Sequence, residues 1–301
     1  MKILYIDQDK CIKCRQCVRD CPEGLFHENA ESSGAGIHFS DPYEDCRQCG
    51  HCIAVCFVDA IEFEALEKPP VFDGVEQPST LISYETLLKF LMARRAIRQF
   101  KSEPVPEVKI NAVLEAMRYA PTALNSQRLG YIVITDPARI RHLVEEAMNM
   151  LKPAIWALKF RWLLELLALF SNNIKKLLTD FSEASAKKWL REYASAGKDS
   201  VFYSAPCVIV LHSPSYGLPG NEAGIALTHG MLAAQALDLG TCWIGWAQGV
   251  LSRSRKLRTW IGIPSGEKVQ GVIALGYPDV RYHRTPTRKL IKVKRFSEGG
   301  C

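Results

Sequence analysis

Eight of the eleven cysteines in this 301-residue chain lie between Cys11 and Cys56, and they form a repeat. Cys11, Cys14, Cys17 and Cys21 recur 35 residues later as Cys46, Cys49, Cys52 and Cys56. Each run has the spacing C-x2-C-x2-C-x3-C. Three thiolates set so closely can reach three irons of one cube, and in runs of this kind the fourth cysteine serves the other cluster. The spacing predicts two [4Fe–4S] clusters. Cys11, Cys14, Cys17 and Cys56 would hold one; Cys46, Cys49, Cys52 and Cys21 would hold the second. Zinc is the competing occupant, but it takes four ligands, usually as two separated pairs. Duplicated triplets are not its pattern.

The surroundings of the repeat favour metal over disulfides. Asp7 and Asp9 interrupt the opening residues, where a secretory signal would need a long apolar core. The richest apolar stretch, residues 154–170, is broken by Lys159, Arg161 and Glu165. A bilayer span needs about 20 mainly apolar residues. The expectation is a cytoplasmic protein with no membrane span, whose thiols stay reduced. Up to Lys68 there are thirteen acidic and seven basic side chains, so the remainder carries +12 of the overall +6. Such a basic half raises the question of nucleic acid, and a smaller anion answers it below.

The organisation is α+β in two domains. Residues 1–66 form the cysteine module, 67–80 (three prolines and a glycine) a linker, and 81–301 the second domain. Tyr84, Leu87, Leu88 and Leu91 recur at helical spacing, as do Ile110, Val113, Leu114 and Met117 behind Pro106. Residues 130–135, 206–211 and 270–275 read as strands, and 224–239 as a helix closed by Gly240. Strands separated by helices predict a mixed sheet covered by helices. Residues 151–202 read as a helical insertion without a strand. It is expected to be a helix buried against another surface, a lid over a cofactor, or an interfacial membrane contact.

Three stretches of the second domain carry polar or small residues in suggestive order. Arg94, Arg95 and Arg98 fall within five residues, and planar guanidinium groups match phosphate oxygens in pairs. A solvated helix end would look the same. Asn125, Ser126 and Gln127 offer amides and a hydroxyl that can read a heterocycle's edge. Gly245, in Leu239–Trp246, allows close backbone approach to a flat ligand.

The N-terminal segment resembles the bacterial two-cluster ferredoxins over its whole length, including Cys21-Pro22; Phe57 stands where they usually have proline. RRAIRQF (94–100), APTALNSQ (120–127), LGTCWIG (239–245) and LGYP (275–278), in that order, resemble the motifs of the nitroreductase family of FMN enzymes. The whole chain thus resembles the ferredoxin–nitroreductase fusions. This resemblance implies a small two-cluster domain ahead of a homodimeric FMN domain with two shared flavin sites. It implies Arg94, Arg95 and Arg288 on the FMN phosphate and the backbone of Ala96 beside it. Arg98 would lie near the ribityl chain or pyrimidine edge. Pro121, Thr122, Leu124, Asn125 and Gln127 would border the flavin, the first four from the partner subunit. Backbone around Ile244, Gly245 and Trp246 would face N5. A flavin phosphate gives the basic half a use without nucleic acid.

The function expected is an iron–sulfur flavoprotein oxidoreductase. A low-potential donor, such as reduced ferredoxin, would feed the two clusters, then FMN, then a small organic acceptor: a nitroaromatic, a quinone or an activated alkene. Two alternatives stand beside it, a NAD(P)H-dependent FMN nitroreductase and a non-catalytic electron-transfer protein. A substrate-specific role such as flavin ring cleavage or dehalogenation is a minor further variant. Cys207 and Cys242 read as packing thiols, Cys301 as a terminal one, His51 as a neighbour of a cluster, and His229 as a core or interface histidine.

Overall fold

A computed structural model of the chain describes residues 1–28, 36–65, 67, 69–70, 77–169, 171 and 183–296. Much of the expected linker, part of the 151–202 insertion and Cys301 lie outside the described residues. The chain divides into two compact units, one of Met1–Leu81 with Pro121–Arg128, the other of Ile82–Ala120 with Leu129–Cys301. The sequence reading assigned residues 121–128 to the second domain. They group with the first unit, and a hydrogen bond described below ties them there.

The first unit is built twice. Strand β1 (Lys2–Ile6) pairs antiparallel with β4 (Ile61–Glu64), and β2 (Phe26–Glu28) with β3 (Ile37–Phe39). Helices α1 (Gln16–Asp20) and α2 (His51–Val55) each begin just before the third cysteine of a run. Their N-caps, Arg15 and Gly50, are left-handed (φ 61° and 76°) and 35 residues apart. The same offset links Lys13 (φ 60°) to Gln48 (φ 52°) and Gly24 (φ 65°) to Asp59 (φ 51°). The duplication visible in the cysteines therefore extends to the backbone. A small core of Ile3, Ile6, Phe26, Ile37, Ala60 and Ile61 fills the unit.

The second unit is a four-stranded sheet with helices on both faces. Its strands are β5 (Gly130–Ile134), β6 (Cys207–Pro214), β7 (Gly240–Trp243) and β8 (Glu267–Gly276), in the order β5-β6-β8-β7. All three named pairings are antiparallel. The isolated bridge Ala96–Thr241 is parallel and sets Ala96 and Ile97 beside β7, while Phe100 bridges Pro278 beyond β8. Central strands β6 and β8 are apolar almost without alternation because both faces are covered.

On one face, α4 (Glu107–Arg118) and α8 (Pro219–Ala236) bury Val113, Met117, Ala226 and Leu227 against Ile209 and Ile273. The opposite face carries α5 (Pro137–Ala157), α7 (Glu183–Ala196), α9 (Gly245–Arg253) and α10 (Arg255–Ile261). Helix starts follow their caps. Ser83 accepts from the Thr86 N–H to open α3 (Tyr84–Ala93), Asp136 from Ala138 for α5, and Ser254 from Leu257 for α10.

The expected insertion begins inside a helix: α5 runs unbroken from Pro137 through Pro153, and Leu151 is fully buried within it. Apolar periodicity continues across position 151, so the sequence offers no boundary there. Helix α6 (Arg161–Ala168) follows, with Trp162 and Leu166 exposed. Among the described residues no helix is long and apolar enough to cross a membrane.

Candidate functional site

In the first unit the eight cysteines sort into the two crossed sets. A cavity open to solvent is bordered by Cys21, Cys46, Cys49 and Cys52. A second is bordered by Cys11, Cys14, Cys17 and Cys56. The thiols' mutual influence sorts them the same way. Burial pushes the Cys52 thiol up to about 12, and Cys49, Cys46 and Cys21 add to the shift. Burial likewise raises Cys17, with Cys11 and Cys56 as its sulfur neighbours. Thiols held protonated in this way give up their protons when a metal binds. Backbone N–H groups also point at the two crossing sulfurs: Leu25 donates to Cys21 Sγ at 3.5 Å and Ala60 to Cys56 Sγ at 3.2 Å. Such bonds favour the thiolate and tune a cluster's potential.

Among the described residues, no three His, Cys, Asp or Glu side chains converge as ligands of one ion. A four-iron cube asks instead for one thiolate on each of four irons. The residues present fit cubes. His51 Nδ1 lies 3.4 Å from the Asp20 carboxylate, an exposed contact linking α2 to α1.

In the second unit, the bridge at Ala96 brings two of the sequence motifs together. Ile97 N–H donates to the Thr241 carbonyl at 2.9 Å. Arg94 caps the end of α3, and both Arg94 and Arg98 lie near the Cys242 thiol, opposing the rise that burial gives it. Arg98 also sits 6.0 Å from the Tyr203 ring centroid. Burial raises the Tyr203 hydroxyl, and Arg98 opposes that rise too. Arg95 Nη2 reaches the Arg284 carbonyl at 3.2 Å. Among the described residues none of Arg94, Arg95 and Arg98 is paired with a carboxylate. Three guanidinium groups left without a counter-charge suit a phosphate.

Beside them α9 opens at Gly245 with no side-chain cap from Ile244. A Cβ placed on Gly245 would meet nothing within 4 Å, so the helix start faces open space. Free N–H groups at a helix start favour an anion or an electron-rich ligand edge. These residues fit a flavin phosphate and ring. Trp246 is half-buried behind Gly245, and Arg288 is exposed in the irregular stretch after β8. Pro121, Thr122, Leu124, Asn125 and Gln127 belong to the first unit.

Tyr203 was absent from the motifs read in the sequence, and Cys242 was read as packing alone. The signal for Tyr203 is Asp199, whose carboxylate accepts from the N–H groups of Val201, Phe202 and Ser204 at 2.8–2.9 Å. That cap holds Tyr203 and Ser204 in the left-handed region, both at φ 58°.

The closeness of the two motifs rests on Gly240. A Cβ there would lie 2.5 Å from Ile97 Cγ1. Gly240→Ala is expected to cost about 1–3 kcal/mol by overpacking and to loosen residues 94–98 from β7. A lowered melting temperature with weakened anion binding checks this.

A cysteine-duplicated ferredoxin-like unit joined to a helix-covered sheet domain defines the class. The 4Fe-4S dicluster domain profile matches residues 3–57, and the Nitroreductase family profile matches 91–277. The chain belongs to the nitroreductase family, with a 4Fe-4S dicluster domain ahead of the family domain. It is 27% identical over 217 residues to iodotyrosine deiodinase 1 of Rattus norvegicus, covering 67% of this chain and 65% of that protein. It thus spans less than two thirds of that relative's length. It is 26% identical to an NADH dehydrogenase of Thermus thermophilus, covering 66% of this chain and 92% of that one. In fold it is similar to a Desulfitobacterium hafniense nitroreductase solved with bound FMN, at TM-score 0.51 and 21% identity, covering 69% of this chain and 97% of that one.

Proposed function

We propose that this protein is an iron–sulfur flavoprotein oxidoreductase that carries electrons from a low-potential donor through two [4Fe–4S] clusters to FMN and on to an organic acceptor. The acceptor class is a nitroaromatic, a quinone or an activated alkene. The observation that carries the reading is the Ala96–Thr241 bridge, which sets uncompensated arginines beside the open start of α9. FMN, when bound, supplies the exchange between single electrons and electron pairs.

The chain's own residues do the rest. Arg94, Arg95 and Arg288 bind the phosphate. Arg98, steadied against Tyr203, orients the pyrimidine edge or ribityl chain. The backbone at Ile244–Trp246 lines the face of the ring, and the two crossed cysteine sets hold the clusters.

A homodimer completes the site in this reading. Two apolar surfaces support it. Tyr84, Leu87, Leu88, Leu91 and Met92 on α3 are 38–70% exposed, and Leu290, Ile291, Val293 and Phe296 in the C-terminal stretch are 60–95% exposed. Contiguous apolar exposure of this kind marks an association surface. The double variant Leu88→Glu/Leu91→Glu is expected to be monomeric and to hold FMN poorly, as light scattering after size-exclusion chromatography would read.

The test is an anaerobic titration followed by absorption. Bleaching of the flavin by a reduced ferredoxin, with no bleaching by NADH or NADPH, supports the inward path. Rapid bleaching by a nicotinamide nucleotide supports the second reading, a NAD(P)H-fed reductase, which the similarity to the Thermus NADH dehydrogenase favours. A halogenated phenol belongs among the acceptors tried, because of the deiodinase relatives.

A further inference from the structure

Within the first unit, Asn125 ties the loop 121–128 to one half of the duplicated scaffold. Asn125 Nδ2 donates to the Gln48 carbonyl at 2.9 Å. Gln48 lies in the step between Cys46 and Cys49, and the Met1 ammonium donates to its Oε1 at 3.2 Å. Its counterpart in the repeat is Lys13, between Cys11 and Cys14. The two share a left-handed backbone, φ 52° and 60°. Among the described residues the Lys13 carbonyl takes no side-chain hydrogen bond of this kind.

The loop is held in shape where it makes this bond. Leu124, Asn125 and Gln127 have φ of 54°, 52° and 48°. Thr122 fixes them: its carbonyl accepts from the Asn125 N–H and its Oγ1 from the Gln127 N–H, each at 3.1 Å. Left-handed non-glycine residues cost energy and gather at ligand clamps. Three in four positions, with the Asn125 amide aimed at a cysteine loop, make a built connection.

Resting on the flavin reading of this loop, we infer that the cluster of Cys46, Cys49, Cys52 and Cys21 is the one that hands electrons to the flavin, by way of the Cys46–Cys49 loop and Asn125. The cluster of Cys11, Cys14, Cys17 and Cys56 stands on the donor side. Each transfer oxidises the exit cluster by one electron. Two transfers, with two protons from water, complete the two-electron reduction of the flavin. A donor of the reduced-ferredoxin class returns the two electrons singly.

The experiment is an EPR-monitored reductive titration of the full-length holoprotein, with FMN and after its removal. Cys14→Ser and Cys49→Ser each alter the g-values of their own cluster and so assign the two signals; either variant alone suffices, the other signal following by elimination. Removal of FMN is expected to shift the midpoint and line shape of the Cys46/Cys49/Cys52/Cys21 cluster and leave the other unchanged. Asn125→Leu is expected to do the same and to slow flavin bleaching by reduced ferredoxin by about an order of magnitude, with both clusters still reduced. A shift confined to the other cluster, equal in both or absent from both, with the flavin still bleaching through the clusters, overturns the assignment alone. A flavin that stays oxidised beside two reduced clusters overturns the electron path as well.

Discussion

Arg94→Ala is expected to yield protein that keeps about eight irons, the content of two four-iron clusters, and loses its FMN. Arg94 stands at the junction of α3 and the bridged segment, with Cys242 and Arg98 beside it and, among the described residues, no carboxylate to offset its charge. A charged hydrogen bond to phosphate is worth roughly 1.5–3 kcal/mol, so its loss weakens flavin binding by between ten- and a few hundred-fold. Iron content and absorption after gel filtration read the two cofactors separately. Retained flavin would sink the phosphate assignment. Arg94→Lys separates charge from geometry: partial retention is expected, because an ammonium supplies charge without the paired planar donors.

The second large effect concerns the cysteines. Cys14→Ala is expected to bring iron down toward about four per chain, as loss of one of two cubes requires, while FMN stays bound. Cys14 is exposed and lies in the cavity bordered by Cys11, Cys17 and Cys56, whereas the phosphate arginines lie in the other unit. Flavin reduction by reduced ferredoxin should then fall by orders of magnitude, and reduction by dithionite, which needs no protein path, should persist. Flavin bleaching at the wild-type rate with ferredoxin would show that the clusters are off the path. The paired variant Cys21→Ala removes the other cluster and is expected to stop ferredoxin-driven reduction equally.

Much of this site was legible in the sequence because its chemistry is local. Cysteines three residues apart, a glycine before a helix and three arginines in five residues declare themselves without tertiary structure. Strands β5, β6 and β8 were also legible, since unbroken apolar runs between turn residues have few other uses. What could not be read was long-range. Thr241 bridging Ala96, Tyr203 beside Arg98 and Asn125 on Gln48 join residues 77 to 145 positions apart, and no periodicity encodes such pairs. The start of the insertion, drawn at residue 151, falls inside α5, which continues through Pro153 because its buried face packs on the sheet beyond that point. Helix α3 showed a regular apolar face, yet within this chain that face stays exposed.

The duplicated backbone of the first unit carries a comparison inside a single chain. At each of three left-handed turns the two halves have answered the same steric demand separately: Lys13 and Gln48, Arg15 and Gly50, Gly24 and Asp59. A side chain in that region costs about 1–2 kcal/mol over glycine, and each half bears the cost at one of the two turns that admit glycine. The cost is thus divided equally between the halves, and each shows what the other's turns can tolerate. For a module whose two halves share their cysteines at matching positions, that internal record is a ready template for recombining the halves or strengthening either.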